Sequence, residues 1–257
     1  MEIQIPKLKN DPLRSLPDGL PTHHEQVHID AGHVHELTLS PQEGVTTLDI
    51  VVDEGASVTV LTAATYAESV FRVLNIQATV GRDAQLHLID RAMGGARLDT
   101  DVQVRLAAEG SSARFTGMYH GRGAEHHRCQ VILYHEVPHT HGDVYVRGVY
   151  EGNARGVFTG LIKIFEGAQQ TKSYYRDDVL LLDDAIADSL PTLEIEANDV
   201  KASHGSTTSR LNDEQIFYLM SRGIPHDEAR ALIVAGFLTP ALRRVPEALC
   251  KPFLPTE

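Results

Sequence analysis

Residues 144–154 read VYVRGVYEGNA, and this stretch decides the fold. Its valines and tyrosines recur with the two-residue period of a half-buried β-strand. The following corner, EGNA, supplies a tight turn, and its small alanine lets the next strand lie close above it. The stretch therefore predicts a short strand that ends in a compact corner.

The same strand-and-corner unit recurs from about residue 26 to residue 205. Further strands with alternating apolar residues are predicted over residues 47–52, 57–61, 85–89, 102–106 and 130–134. The corner alanines follow a quasi-period of about 14 residues, typical of stacked supersecondary units. They are Ala56, Ala84, Ala113, Ala154, Ala168 and Ala185.

Two β architectures fit this pattern. One is a β-solenoid, whose strands stack coil on coil, and the other is an antiparallel sandwich with short hairpins. The irregular spacing and the scarcity of Asn-Gly and Asp-Gly dipeptides favour the solenoid. A solenoid has open ends, so we expect its last coil to be capped or paired with another chain.

The period changes after Arg210. Asn212 is a good N-cap, and Gly223 is placed to end the first helix. Pro225 opens a second helix, and Pro240 permits a third short helix through Leu249. Because three helices of about ten residues are marginal alone, this tail is expected to dock on another surface.

The chain is therefore divided into three parts: an irregular N-terminal arm (residues 1–25), a β-helix core (26–210) and a C-terminal helical region (211–257).

Composition excludes several partners. The 257 residues carry a formal charge of −12, which disfavours nucleic acid and anionic lipid. No apolar run approaches the roughly 20 residues of a spanning helix, and the first 21 residues lack a signal-peptide pattern. Two cysteines, Cys129 and Cys250, form neither a disulfide framework nor a zinc cluster. A cytoplasmic protein is expected.

Fourteen histidines suggest a metal hypothesis. His135, His139 and His141 occur in HEVPHTH, but Pro138 interrupts the strand, so polar side chains on a solvated edge are the favoured interpretation. Cys129 shares a strand face with apolar neighbours and is predicted to pack in the core. The early histidines follow no period and are assigned no role: His23, His24, His28, His33 and His35.

Enzymatic motifs are absent. There is no nucleophile elbow, no phosphate-binding loop and no dinucleotide fingerprint. The pairs Asp177-Asp178 and Asp183-Asp184 leave a solenoid polysaccharide hydrolase or lyase as an alternative. However, adjacent carboxylates on a strand point to opposite faces. We therefore expect no enzymatic activity.

The most specific stretch lies towards the C-terminus. ARGVFTGLIKIFEGAQQTKSYYRDDVLLLDDAIADSLPTLEI (154–195) is followed by ASHGST (202–207), FYLMSRGI (217–224) and EARALIVAGF (228–237). Over roughly residues 110–238 the chain resembles the SufB/SufD scaffolds of the Suf iron–sulfur cluster assembly system. The resemblance implies a right-handed parallel β-helix with a small helical region.

The motif residues combine features of both family branches. His204 in ASHGST matches the histidine of the SufD motif CSHGAT, while the cysteine of that motif is Ala202 here. In the SufB motif EHEATTS, the histidine and the TTS run are matched, and Ser203 and Gly205 replace its glutamates. The SufB assembly cysteine aligns with Asp177. The chain thus resembles a minimal SufD-like member without the long N-terminal helical domain.

The resemblance also implies partners and cargo. The β-helix would dimerise near residues 190–205 with itself or with a SufB-like partner, and the helices would bind a SufC-like ABC ATPase. His204 is the candidate residue for cluster assembly. An iron–sulfur cluster or iron would be held transiently and shared with a partner, with no tightly bound cofactor. The residues expected to contact the ATPase are Phe217, Tyr218, Arg222, Gly223, Ile233 and Phe237.

Overall fold

A computed structural model describes residues 19–249 of the chain. Fourteen strands form two parallel sheets, and successive strands alternate between the sheets. The result is a β-solenoid of about six turns, as predicted, and not a sandwich of hairpins. The strands are β1 (Thr22–Ile29), β2 (Val34–Leu39), β3 (Gly44–Val52), β4 (Ser57–Tyr66), β5 (Phe71–Val80), β6 (Gln85–Gly94), β7 (Arg97–Leu106), β8 (Ser112–Gly121), β9 (His126–His135), β10 (His141–Tyr150), β11 (Arg155–Ile164), β12 (Lys172–Leu181), β13 (Ile186–Ile195) and β14 (Lys201–Arg210).

Odd-numbered strands form one sheet (sheet A) and even-numbered strands form the other (sheet B), each in sequence order. Most strands span ten residues and pair without register slips, so equivalent side chains stack from coil to coil. Inward side chains fill the space between the sheets with Val, Leu and Ile. Cys129 is 2% exposed within this core, as its alternation predicts.

The corner alanines explain how the coils stack so closely. All six are at most 3% exposed, because the neighbouring coils cover them. A larger side chain at these corners would have to displace well-packed neighbours. The recurrence of alanine in the sequence therefore reflects the close stacking of the coils.

Two helices follow the solenoid: α1 (Asp213–Ser221) and α2 (His226–Leu242). The Asn212 side chain accepts a hydrogen bond from the backbone N–H of Glu214, as expected of an N-cap. Gly223 has φ of 87°, the left-handed conformation that commonly ends helices.

The prediction of a third helix after Pro240 is wrong. Pro240 lies inside α2, and only a 3-10 turn follows at Glu247–Leu249. A proline near the end of a helix removes one hydrogen bond, which packing can offset. Ala241 and Val245 supply that packing against Met118 and other apolar groups on the outer face of sheet B.

The described helices include none that is long and apolar enough to span a membrane. Cys250 and most of the predicted N-terminal arm lie outside the described residues.

Candidate functional site at the open end of the solenoid

The last coil of the solenoid leaves two strand edges open. Within residues 19–249, β13 pairs only with β11, and β14 pairs only with β12. The amides of Lys201 and Leu211 donate to carbonyls of the preceding coil. Because parallel strands alternate their hydrogen-bonding direction, the even residues of β14 direct their N–H and C=O groups to the open edge. These residues are Ala202, His204, Ser206, Thr208 and Arg210.

The two open edges differ in their ability to accept another strand. The amides of Ile186 at the start of β13 and of Glu196 just after it donate to carbonyls of the preceding coil, so Pro191 occupies a position that faces the open edge. Proline has no N–H, and edge strands commonly use it to prevent pairing. β14 contains no proline and is exposed along nearly its whole length. The edge of β14 is therefore the better template for strand addition.

His204 lies near the middle of this open edge. Its backbone is in register with Tyr175 of β12, and alternation places its side chain on the same face of β14 as that of Ser206. The His204 side chain is exposed, and its ring has no hydrogen-bond partner among the described residues. A structural histidine held by neighbouring hydroxyls would have such partners, so the ring is free to bind an external group.

Asp177, the residue aligned with the SufB cysteine, lies beneath β14 between the two sheets. Its carboxylate accepts hydrogen bonds from Ser189 Oγ at 2.6 Å and Ser206 Oγ at 2.7 Å. Burial raises the pKa of Asp177, although the hydroxyls of these serines and of Tyr175 act in the opposite direction. This network ties both open strands to one buried carboxyl group, and sequence spacing gave no signal for it.

Asp178 points to the outer face of sheet B, away from Asp177. Its carboxylate accepts hydrogen bonds from Thr207, Arg176 and Arg147. Burial would raise the pKa of Asp178, but these partners outweigh burial and lower it. The two carboxylates face opposite sides of the sheet, so they do not form a hydrolytic pair.

An open groove of about 660 Å³ lies between the end of α2 and β14. His204, Arg176 and Arg244 are among its lining residues. Arg244 is bound to Asp143 at 2.9 Å and lies over the Tyr145 ring. Since both arginines already pair with carboxylates, the groove carries little free positive charge.

The three histidines of HEVPHTH are separated in the structure. His135 is fully buried, and its two ring nitrogens are hydrogen-bonded to Thr140 and Ser173. His139 lies in the corner with φ of 60°, and the His141 ring packs edge-on against Tyr174. Their ligand atoms form no convergent group of three in the described part of the chain.

The residues assigned to ATPase contact divide into two groups. Phe217 and Tyr218 are 74% and 57% exposed on α1, and Arg222 lies over the Tyr218 ring next to Gly223. Ile233 and Phe237 instead pack on the apolar residues Val149, Leu180 and Leu182. Sequence reasoning missed Met220 and Leu232, which are exposed apolar residues on the same two helices.

A charged junction fixes α2 to the solenoid. Arg230 donates to Asp183 at 2.9 Å and to Glu151 at 3.1 Å. His120 contacts the other oxygen of Glu151. The hydrogen bonds from Arg230 and from the Gly152 amide lower the pKa of Asp183 to about 2. These ion pairs thus hold α2, and with it the exposed face of the two helices, against the solenoid.

The structural class of the protein is a parallel β-solenoid with an open terminal edge and a docked helical pair. Comparison with known proteins specifies the family. The model of the SUF system FeS cluster assembly SufBD core domain matches residues 22–237. An iron–sulfur cluster assembly SufBD family protein of Mycobacterium tuberculosis is 31% identical over 86% of this chain and 59% of its own length.

Two further relatives support the same conclusion. One, from Mycobacterium leprae, is 31% identical over 77% of this chain and 53% of its own length. A longer one from Mycobacterium tuberculosis is 27% identical over 77% of this chain and 24% of its own length. The chain belongs to the SufBD family. It spans between about a quarter and three-fifths of the length of these curated relatives.

Proposed function

We propose that this chain is a non-enzymatic assembly factor for iron–sulfur clusters in a Suf-type system. Its open β14 edge pairs with a SufB-like solenoid or with a second copy of itself, and its helices bind a SufC-like ABC ATPase. The observation that carries the proposal is the ten-residue, proline-free edge of β14 with the unpartnered His204 at its centre.

The pairing step follows from the backbone. An exposed ten-residue strand offers a row of amides and carbonyls that a second strand satisfies by β-augmentation. The exposed side chains of β14 are mostly small and hydroxylic, so they allow another backbone to approach closely. Pairing here would place His204 at the interface between the two solenoids.

A proline at Thr208 tests this step. Its amide faces the open edge, so Thr208→Pro removes a donor offered to the partner and leaves the bonds to β12 intact. We expect at least tenfold weaker association with itself or with a purified SufB-type protein, measured by light scattering and titration. Thr208→Ala is the matched control and should associate normally. A wild-type chain that stays monomeric and ignores the SufB-type protein would contradict the pairing.

The ATPase step uses the exposed aromatic surface of α1. Phe217 and Tyr218 are solvent-exposed aromatic side chains, a residue type enriched at protein interfaces. Phe217→Ala combined with Tyr218→Ala should abolish co-purification with a purified SufC-type ATPase. Asp227→Asn, at a fully exposed position of α2, is the control and should bind normally. Unchanged binding by the double variant would exclude this face.

The cargo step concerns His204. A neutral imidazole can ligate iron or accept a proton near neutral pH. Soft thiolates are the preferred cluster ligands, but Cys129 is buried in the core and Asp177 offers a carboxyl group. A cluster or iron ion would therefore be held transiently and shared with the partner. ATP-driven movement of the ATPase would strain the interface through α2 and expose His204.

A further inference from the structure

A second group of potential metal ligands lies at the opposite end of the solenoid, where β1 and β3 form the first coils of sheet A. His28 points outward from β1, and its Nε2 donates to Asp53 Oδ2 at 2.9 Å. Asp30 and Asp53 directly follow the paired residues Ile29 and Val52, so their carboxylates stack one coil apart. One ligand atom from each of the three residues lies within 4.8 Å of the others.

This acidic stack differs from others on the solenoid because no lysine or arginine within residues 19–249 forms an ion pair with it. Elsewhere, arginines neutralise neighbouring acids: Arg128 pairs with Asp99 and Asp101, and Arg230 pairs with Glu151 and Asp183. At the first coils, the His28 imidazole lies near both carboxylates and donates to Asp53. A bound cation would supply the missing positive charge.

The donor set indicates the class of cation. An imidazole with two carboxylates suits first-row divalent metals, whereas Mg²⁺ and Ca²⁺ favour all-oxygen sites. The third coil contributes Gly81 at the equivalent position, so no side chain from that coil occupies the site.

We propose that His28, Asp30 and Asp53 form a binding site for a first-row divalent cation such as Fe²⁺, Mn²⁺ or Co²⁺, with water as the remaining ligands. The site is independent of the cluster-assembly proposal.

Equilibrium dialysis of the full chain against Co²⁺, without an affinity tag, tests the site. A host variant with alanine at the other early histidines and at His204 removes these competing imidazoles while His28 remains: His23, His24, His33, His35 and His204. In this host we expect one equivalent of Co²⁺. Asp53→Asn and His28→Ala should each weaken binding at least tenfold without lowering the melting temperature by more than a few degrees.

Asp49→Asn in the same host is the matched control, since Asp49 is a nearby acid on β3 that lies outside the proposed ligand group. It should leave the dissociation constant within twofold. Less than one equivalent bound by the host, or equal losses in Asp49→Asn and Asp53→Asn, would overturn the site. Displacement of Co²⁺ by an equal concentration of Mg²⁺ would overturn the assigned metal class. The ATPase co-purification assay is unaffected by these variants, so the two proposals fail separately.

Discussion

Replacing the buried His127 by glutamine should make the protein less sensitive to acid. His127 is 1% exposed, and its Nε2 donates to the Gly94 carbonyl at 2.9 Å. Its ring also contacts the rings of Tyr119 and Tyr150. Glutamine keeps an N–H donor for Gly94 and has no proton to gain.

The magnitude follows from linkage. The pKa of His127 is lowered to about 4, mainly because the ring is buried, whereas in the unfolded chain it is about 6.5. Below pH 6.5 the unfolded state binds more protons than the folded state, so stability falls with decreasing pH until the folded pKa is reached. Because of this single histidine, the free energy of unfolding is about 2 kcal/mol lower at pH 5 than at pH 7.5. His87 and His135, whose pKa values are lowered to about 4 and about 3, act in the same direction.

Urea unfolding of the wild type and of His127→Gln at pH 7.5, 6.5, 5.5 and 5.0 measures this effect. The variant should start about 1 kcal/mol less stable, because its side chain packs less well between the two tyrosines. Between pH 7.5 and 5.0 it should lose about 2 kcal/mol less than the wild type. Parallel stability curves for the two proteins would refute the reasoning, since they would mean that His127 is protonated in the folded state or exposed to water.

Three other substitutions test the helices and the open edge. Arg230→Met should lower the free energy of unfolding by about 1 kcal/mol at pH 7, after allowance for solvent screening at the half-exposed Asp183, and should increase amide exchange in α2. Because the pKa of Asp183 is depressed, the stabilisation by its ion pair with Arg230 is present above about pH 4 and should vanish as pH falls towards 2. A stability difference between wild type and variant that persists at pH 2 would contradict the role of this ion pair. Phe237→Ala should cost about 2 kcal/mol, since the ring is only partly buried, and calorimetry showing no change would mean that α2 is not docked as described. His204→Ala should leave the melting temperature unchanged and impair cluster transfer to an apo-acceptor; normal transfer would remove His204 from the mechanism.

The solenoid was predictable because its rules are local. Alternation of apolar residues located β3, β4, β6, β7, β9 and β10, and the recurring alanine marked six of the corners where coils stack. The N-cap at Asn212 and the helix end at Gly223 depend on neighbouring backbone groups, and both predictions were confirmed. Pro240 was misjudged because the packing of Ala241 and Val245 on sheet B comes from residues far away in sequence.

The sequence by itself determined the strand period, the corners, the family resemblance and the inward position of Cys129. The tertiary structure decided which side chains meet, because the pairing between coils joins residues 23 to 31 positions apart. No local pattern reveals that Asp177 binds both Ser189 and Ser206, or that His28 lies beside Asp53. Such contacts depend on the length of each coil and the register of its strands, since one residue more or less would turn each side chain to the opposite face.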